Sequence, residues 1–132
     1  MTTTIKQHAT REIPFTEWIP FLAAFTREYR GAHARLEVVG PDTDVGYQVE
    51  TEDRPLDGIS ADTKDGERIV WISFATSPEG ELTHGVQPAR ALRLLPPDES
   101  NLTVVEVEAS DGTKTILELT RPEEYALPPA NS

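Results

Sequence analysis

The sequence predicts a mainly β (α+β) fold, in which one N-terminal amphipathic helix precedes a seven- or eight-stranded antiparallel meander. Two observations predict it. Before Gly31, apolar side chains recur at spacings of three and four, the period of a helix with one apolar face. After Gly31, most apolar runs alternate residue by residue and end at Gly, Pro, Asp or Asn, as half-buried strands do. We expect a small barrel or a strongly curved sheet, with the helix plugging or flanking it.

The helix is predicted from about Thr16 to Arg30. Thr16 suits the N-cap, because its hydroxyl can accept a hydrogen bond from the first turn. Gly31 stands where a left-handed residue would end the helix. The apolar stripe is expected to lie buried against the sheet and consists of Trp18, Phe21, Leu22, Phe25 and Tyr29.

Six apolar runs follow the helix before the final hairpin. The run from 56 to 61 changes phase at Gly58, which favours a bulge or a bend. Lys64-Asp65-Gly66 is typical of a tight turn. The run from 69 to 74 is apolar on both faces and is expected to be a central strand. The six runs cover residues 34–38, 45–49, 56–61, 69–74, 82–86 and 92–94.

The register of the last hairpin, 102–109 with 114–119, follows from its side chains. A two-residue loop at Asp111-Gly112 would mix apolar and charged residues on one face. A type I turn with Gly112 left-handed in a bulge shifts the pairing by one residue. The shifted pairing places Val105 opposite Leu117, Thr103 opposite Leu119 and Glu108 opposite Lys114, which we predict.

The domain organisation is predicted as a loose N-terminal arm (1–12), one domain (13–120) and a flexible proline-rich tail (121–132). The chain has no cysteine, which excludes disulfides, thiolate metal sites and a cysteine nucleophile. No secretory signal and no run of membrane-spanning length are present, so a cytoplasmic location is expected. Twelve basic against 23 acidic side chains give a net charge of −11, which disfavours nucleic acid and anionic membranes as partners.

The chain resembles a family of small bacterial proteins of unknown function. The likeness runs from about Ile13 to Leu119. The segments that carry it include Glu17-Trp18 in the helix, Pro55-Leu56-Asp57-Gly58-Ile59-Ser60-Ala61-Asp62, Leu82-Thr83-His84 and Asp111-Gly112. The resemblance implies a bacterial, cytoplasmic protein and the domain limits given above, and it implies no activity.

No catalytic, cofactor or metal motif is recognised. The segment 42–46 opens like a calcium loop, but Gly46 and Tyr47 stand where that loop needs an oxygen ligand and a glycine. The three histidines lack ligand spacing. Ser60 lacks the flanking glycines of a hydrolase elbow. Asp57, Asp62, Asp65 and Glu67 could supply paired carboxylates for acid–base chemistry, but nothing in their spacing requires it, and Asp65 and Glu67 suit a solvated turn.

Two function classes remain open. The first is a non-catalytic protein-binding or scaffolding module, with a homodimer as one form of it, that uses a surface patch formed by Ile69 and Trp71. The alternative is a small-molecule-binding barrel or a small enzyme with a pocket near His84. The alternation of its strand points His84 inward with Leu82 and Val86, where a structural role is the simpler interpretation.

Overall fold

The structure is a computed structural model that describes residues 10–41, 47–78, 80–95 and 102–120. A short 3-10 turn, Phe15–Glu17, leads directly into the helix. The elements in chain order are β1 (Arg11–Glu12), α1 (Trp18–Tyr29), β2 (His33–Val39), β3 (Tyr47–Lys64), β4 (Glu67–Ser77), β5 (Gly80–Val86), β6 (Ala89–Leu95), β7 (Leu102–Ala109) and β8 (Lys114–Thr120).

The strands form one antiparallel sheet in the order β1-β6-β7-β8-β2-β3-β4-β5. The mainly β fold with one N-terminal helix is therefore confirmed. The sheet curves strongly: Nε2 of His84 on β5 lies 3.4 Å from Oγ1 of Thr115 on β8, although three strands lie between β8 and β5 in the sheet order. In the described residues, β1 and β5 remain the two edges of the sheet, so the curved sheet is the form adopted and the closed barrel is not.

The helix begins differently from the prediction. Thr16 lies inside the 3-10 turn, and Glu17 occupies the N-cap of α1. No side-chain hydrogen bond caps either α1 at Glu17 or the 3-10 turn at Pro14. The predicted Thr16 cap is therefore wrong. The start is held instead by Trp18, whose Nε1 donates to the Ile13 carbonyl at 2.8 Å, and by the Glu17 N–H, which donates to Pro14. A hydrogen bond from an indole N–H, and not a hydroxyl cap, therefore fixes the start of the helix.

The end of α1 is fastened to β3. Gly31 adopts φ +90°, as predicted, and its N–H donates to the Leu56 carbonyl at 2.9 Å. Oγ1 of Thr26 accepts from the Ile59 N–H at 3.0 Å and lies 2.9 Å from the Ile59 carbonyl. At Gly58 an added Cβ would lie 3.3 Å from the Thr26 methyl, so a side chain there would crowd this approach.

Residues 47–49 of the run predicted at 45–49 and the whole run predicted at 56–61 lie in one 18-residue strand, β3. Its register shifts between Leu56 and Gly58, which confirms the bulge predicted at Gly58. Asp65 and Gly66 both have positive φ, as a two-residue hairpin turn requires. Residues 42–46, which contain the calcium-loop-like segment, lie outside the described residues.

The predicted register of the last hairpin is confirmed. Val105 pairs with Leu117, Thr103 with Leu119 and Glu108 with Lys114. Gly112 has φ +94°, which is the left-handed conformation that the bulged turn needs.

The core lies between α1 and the concave face of the sheet. Phe21 is only partly buried, in contrast to the prediction that it packs in the core with its neighbours. The largest fully buried side chains on the helix and sheet are Trp18, Leu22, Leu36, Leu56, Ile72, Leu92, Leu117 and Leu119.

On β1, β6 and β7, the convex face carries a network of ion pairs. Nη1 of Arg93 lies 2.6 Å from Oε2 of Glu106 and 2.9 Å from Oε1 of Glu108, and its Nε lies 3.3 Å from Oε1 of Glu12. Arg90 also pairs with Glu108. The bond to Glu12 ties β1 to β6, so residues 11 and 12 form an edge strand where the sequence predicted a loose arm.

Candidate functional site

A groove of about 300 Å³ opens between α1 and the edge of the sheet formed by β1, β6 and β7. Its wall on the helix side is aromatic and its floor is formed by the sheet. The described residues that line it are Arg11, Phe21, Ala24, Phe25, Glu28, Tyr29, Leu94 and Thr103. We call it the aromatic groove.

Three rings form a continuous stack along the helix. The centroids of Phe21 and Phe25 are 5.9 Å apart and those of Phe25 and Tyr29 are 4.4 Å apart, with planes inclined by 27° and 25°. Their spacing of four residues places the rings one above another on one helix face. Phe25 and Tyr29 are buried and Phe21 is partly buried, so the stack passes from the core to the opening of the groove.

Polar groups mark both ends of the groove. At the opening, the guanidinium of Arg11 lies 5.7 Å from the centroid of Phe21, within the range of a cation–π contact. Glu28 lines the same groove and is exposed. At the inner end, the Tyr29 hydroxyl and Oγ1 of Thr103 are 3.0 Å apart and both are buried. This hydrogen bond satisfies the deepest polar atoms and leaves the walls apolar.

The groove follows from how the helix is anchored. Thr26 and Gly31 hold α1 close to β3, on one side of the concave face. On the other side, small Ala24 faces Leu94 and Thr103, and the side chains between helix and sheet do not close the gap. The groove therefore lies on the β6–β7 side of α1, with the hydrogen bond between Tyr29 and Thr103 at its inner end.

The two residues of the predicted surface patch differ in exposure. Ile69 is 2% exposed and contributes no surface, whereas Trp71 is 39% exposed on the convex face. Trp71 pairs with Gly85 of β5, and an added Cβ at Gly85 would lie 2.5 Å from Cζ3 of the indole. The ring therefore covers the glycine backbone. A binding role for Trp71 stays a prediction.

Gly85→Ala is expected to push the Trp71 indole toward solvent, because no side chain fits beneath the ring. We expect the tryptophan emission to shift to longer wavelength and the free energy of unfolding to fall by about 1 kcal/mol, the low end of overpacking costs. Thr83→Ala, two residues away on β5, is the matched control. An emission maximum identical to that of the wild type in Gly85→Ala would contradict the proposed packing.

The polar residues singled out by the sequence do not converge. His84 is half-buried beside Thr115, and none of the three cavities we describe is lined by it. Asp57 lies near Arg30 and, with Glu81, Ser73 and other residues, lines a shallow polar depression of about 150 Å³. Asp62 accepts a hydrogen bond from the Thr63 N–H at 2.7 Å. A structural role for His84 stays a prediction.

A third cavity, of about 160 Å³, lies beside Phe15 and Ile19 at the start of the helix. The guanidinium of Arg68 lies 3.7 Å from the Phe15 centroid, so its rim is already occupied by a cation. Within residues 10–41, 47–78, 80–95 and 102–120, no group of three or more His, Asp or Glu side chains is placed to hold a metal ion. Nor is any helix in this part of the chain long and apolar enough to span a bilayer.

Sequence reasoning found the aromatic stripe but not the groove. The helix side of the groove lies along one flank of the stripe, where Phe21, Ala24, Phe25 and Glu28 recur at spacings of one, three and four. The one sequence feature that could have indicated the groove was the small residue Ala24 between Phe21 and Phe25. Arg11 and Leu94 come from β1 and β6, and their approach to the helix depends on the fold of the whole sheet.

Fold and groove together define a small, mainly β protein with an apolar groove between its one described helix and its curved sheet. The chain belongs to the family described as "Family of unknown function (DUF5335)", which matches residues 9–128. An uncharacterised protein of Aquifex aeolicus (strain VF5) is 29% identical over 111 residues, which cover 84% of this chain and 92% of that protein. No solved structure matches the chain significantly.

Proposed function

We propose that this protein is a non-catalytic protein-binding module of the bacterial cytoplasm. The aromatic groove receives one large apolar side chain from an extended segment of a partner protein, and the residues around that side chain are basic. The observation that carries the proposal is the stack of Phe21, Phe25 and Tyr29 along an open, apolar groove, with Phe21 as its partly exposed ring and Phe25 and Tyr29 buried behind it.

The shape of the groove favours one side chain of a protein segment. Its volume of about 300 Å³ is at the lower end of the range of about 300–1,000 Å³ typical of small-molecule sites. The groove opens beside Phe21 and ends at the buried hydrogen bond between Tyr29 and Thr103, so it can hold one side chain while the rest of a bound segment stays outside. Stacked rings bind an aromatic or branched side chain by area burial and ring contacts, which are worth about 0.5–1.5 kcal/mol per aromatic pair beyond burial.

The net charge of this protein favours basic residues next to the anchoring side chain of the partner. A net charge of −11 attracts a basic partner from a distance and repels an acidic one. Exposed Glu28 at the groove is placed to meet a lysine or arginine beside the anchoring side chain. A pocket near His84, the alternative raised by the sequence, stays a prediction.

Filling the groove tests this proposal. The probe is a labelled nine-residue peptide of lysine and serine with one central phenylalanine, measured by fluorescence anisotropy at low and moderate salt. Ala24→Leu places a larger apolar side chain in the groove and is expected to weaken binding of this peptide at least tenfold, since it occupies the site of the phenylalanine. Leucine and alanine are both strong helix formers, so α1 is retained.

Ala23→Leu is the matched control, because Ala23 is also exposed on α1 but does not line the groove. It should bind the peptide like the wild type. A peptide with central alanine should bind weakly to every variant. Equal affinity of Ala23→Leu and Ala24→Leu for the phenylalanine peptide would contradict the proposal, as would no preference for phenylalanine over alanine.

A further inference from the structure

We propose that two copies of this chain pair through the β5 edge of the sheet, with β5 of one copy antiparallel to β5 of the other and a two-fold axis at Thr83. The described residues that line the aromatic groove come from α1, β1, β6 and β7, and none of them comes from β5. The inference therefore goes beyond the proposed function and does not depend on it.

The two edges of the sheet in the described part of the chain differ in how well they resist a further strand. β1 is two residues long, both of them charged and exposed, and its Glu12 is bound by Arg93. β5 is seven residues long, carries one charged residue, Glu81, and contains neither lysine nor proline. From Leu82 to Val86 it follows β4 without a bulge. Short, charged or bulged edges resist pairing, so β5 is the edge that accepts another strand.

The backbone of β5 is accessible along this edge. Gly85 has no side chain and is exposed, so solvent reaches its main-chain atoms. An edge strand turns part of its N–H and C=O groups away from its neighbour, and these groups can pair with a second strand. Val86 is buried and His84 lies beside Thr115 of β8, so the inner side of β5 is packed on the fold. The edge is thus already extended and held in place before a second copy arrives.

An axis at Thr83, the middle residue of β5, gives the longest pairing. It places Thr83 opposite Thr83 of the second copy, Leu82 opposite His84, and Glu81 opposite Gly85. Two threonines form a favourable cross-strand pair. The single charged residue of β5 then meets a glycine, whereas an axis at Glu81 would place two carboxylates opposite each other. β5 is therefore self-complementary in this register.

The exposed indole of Trp71 gains a neighbour in the pair. Its ring lies over Gly85 and is 39% exposed. Because Glu81 of the second copy lies opposite Gly85, its methylene groups come beside the ring while its carboxylate stays in solvent. Pairing therefore covers part of a large apolar side chain that a single copy leaves in water.

Salt acts on this contact in the opposite direction to its effect on the groove. Each copy carries a net charge of −11, so two copies repel each other at a distance. Salt screens that repulsion and strengthens the pair, whereas it weakens the attraction of a basic peptide to the aromatic groove.

The first test is the mass of the full-length chain by light scattering at low and high salt. The mass should rise with protein concentration toward twice the 14.6 kDa of one chain, and more steeply at high salt. The mass of one chain at every concentration up to about 1 mM overturns the inference, as does a pair that dissociates when salt is added. Ala24→Leu, which fills the groove, should leave the pair intact, and its loss in that variant would place the contact at the groove instead.

A new thiol tests the register, since the chain has no cysteine of its own. In Thr83→Cys the two thiols face each other across the axis, where opposite Cβ atoms lie about 5 Å apart, so mild oxidation should link the copies. In Glu81→Cys, on the same edge, the two thiols are four residues out of register, about 13 Å apart, and should stay unlinked. Equal linking of the two variants, or linking of Glu81→Cys alone, contradicts an axis at Thr83.

Charge at the axis gives a test without oxidation. Thr83→Lys and Thr83→Glu each place like charges opposite each other and should weaken the pair about fivefold, whereas an equal mixture of the two should restore it. Thr63→Lys and Thr63→Glu change the net charge by the same amounts at an exposed threonine of β3, away from the edge, and should pair like the wild type separately and mixed. A mixture of the Thr83 variants that pairs no better than either variant alone overturns the inference.

Discussion

Replacement of Phe25 by alanine is expected to lower the free energy of unfolding by about 3–5 kcal/mol, the range for buried aromatic side chains. Phe25 is 5% exposed and its ring lies between those of Phe21 and Tyr29. Its removal leaves a cavity beneath the helix. The helix cannot move inward to fill that cavity, because Thr26 holds it to β3. Chemical denaturation monitored by circular dichroism measures the change.

Phe15→Ala is the control for this substitution. Phe15 is an aromatic residue close to the same helix, but it is 43% exposed and contacts Trp18 edge-on with centroids 5.3 Å apart. We expect a loss of about 1 kcal/mol for it, the usual scale of a point substitution. If Phe25→Ala has the denaturation midpoint of the wild type, the packing of α1 on the sheet described above is wrong.

Replacement of Glu108 by glutamine is expected to cost about 1.5–3 kcal/mol at pH 7, the scale of hydrogen bonds to charged groups. The Glu108 side chain is 10% exposed and pairs with Arg93 and Arg90. The hydrogen bond from Arg93 is the main cause that lowers the pKa of Glu108 below its ordinary value of 4.5, and burial opposes it. Arg93 in turn has a raised pKa, chiefly through Glu108.

The sign of the pH dependence follows from that lowered pKa. Above pH 4.5 the carboxylate is ionised in both the folded and the unfolded chain, and the ion pairs contribute their full stabilisation. Below pH 4.5 the unfolded chain takes up the proton first, and the contribution is lost as the pH falls through the folded pKa of Glu108. The difference in stability between wild type and Glu108→Gln should therefore shrink under acid conditions.

Urea denaturation at several pH values between 3 and 7 measures this dependence. The matched control is Glu81→Gln, because Glu81 is exposed on β5 and surface substitutions of this kind change stability by about 0.5 kcal/mol or less. A difference between wild type and Glu108→Gln that stays constant down to pH 3 would show that the ionised carboxylate of Glu108 does not stabilise the fold.

Patterns among neighbouring residues in the sequence were sufficient to predict most of the secondary structure. The left-handed Gly31 and Gly112, the bulge at Gly58 and the register of the last hairpin were all predictable, since each depends on residues close together in the chain. The start of the helix was not, because Trp18 is held by the carbonyl of Ile13 in place of the expected hydroxyl cap. A side chain that reaches back over several residues leaves no periodic signal.

The sequence by itself determined that the protein is one apolar-striped helix on an antiparallel sheet, because periods of 3.6 and 2 are properties of neighbouring residues. It also determined an acidic chain without cysteine chemistry. Only the tertiary structure decided where the helix meets the sheet and where a groove is left beside it. Thr26 meets β3 across 33 residues, Tyr29 meets Thr103 of β7 across 74 residues, and Arg11 of β1 comes within cation–π range of Phe21. The aromatic groove exists because these long-range contacts set the position of α1 over the sheet, and such contacts leave no pattern among neighbouring residues.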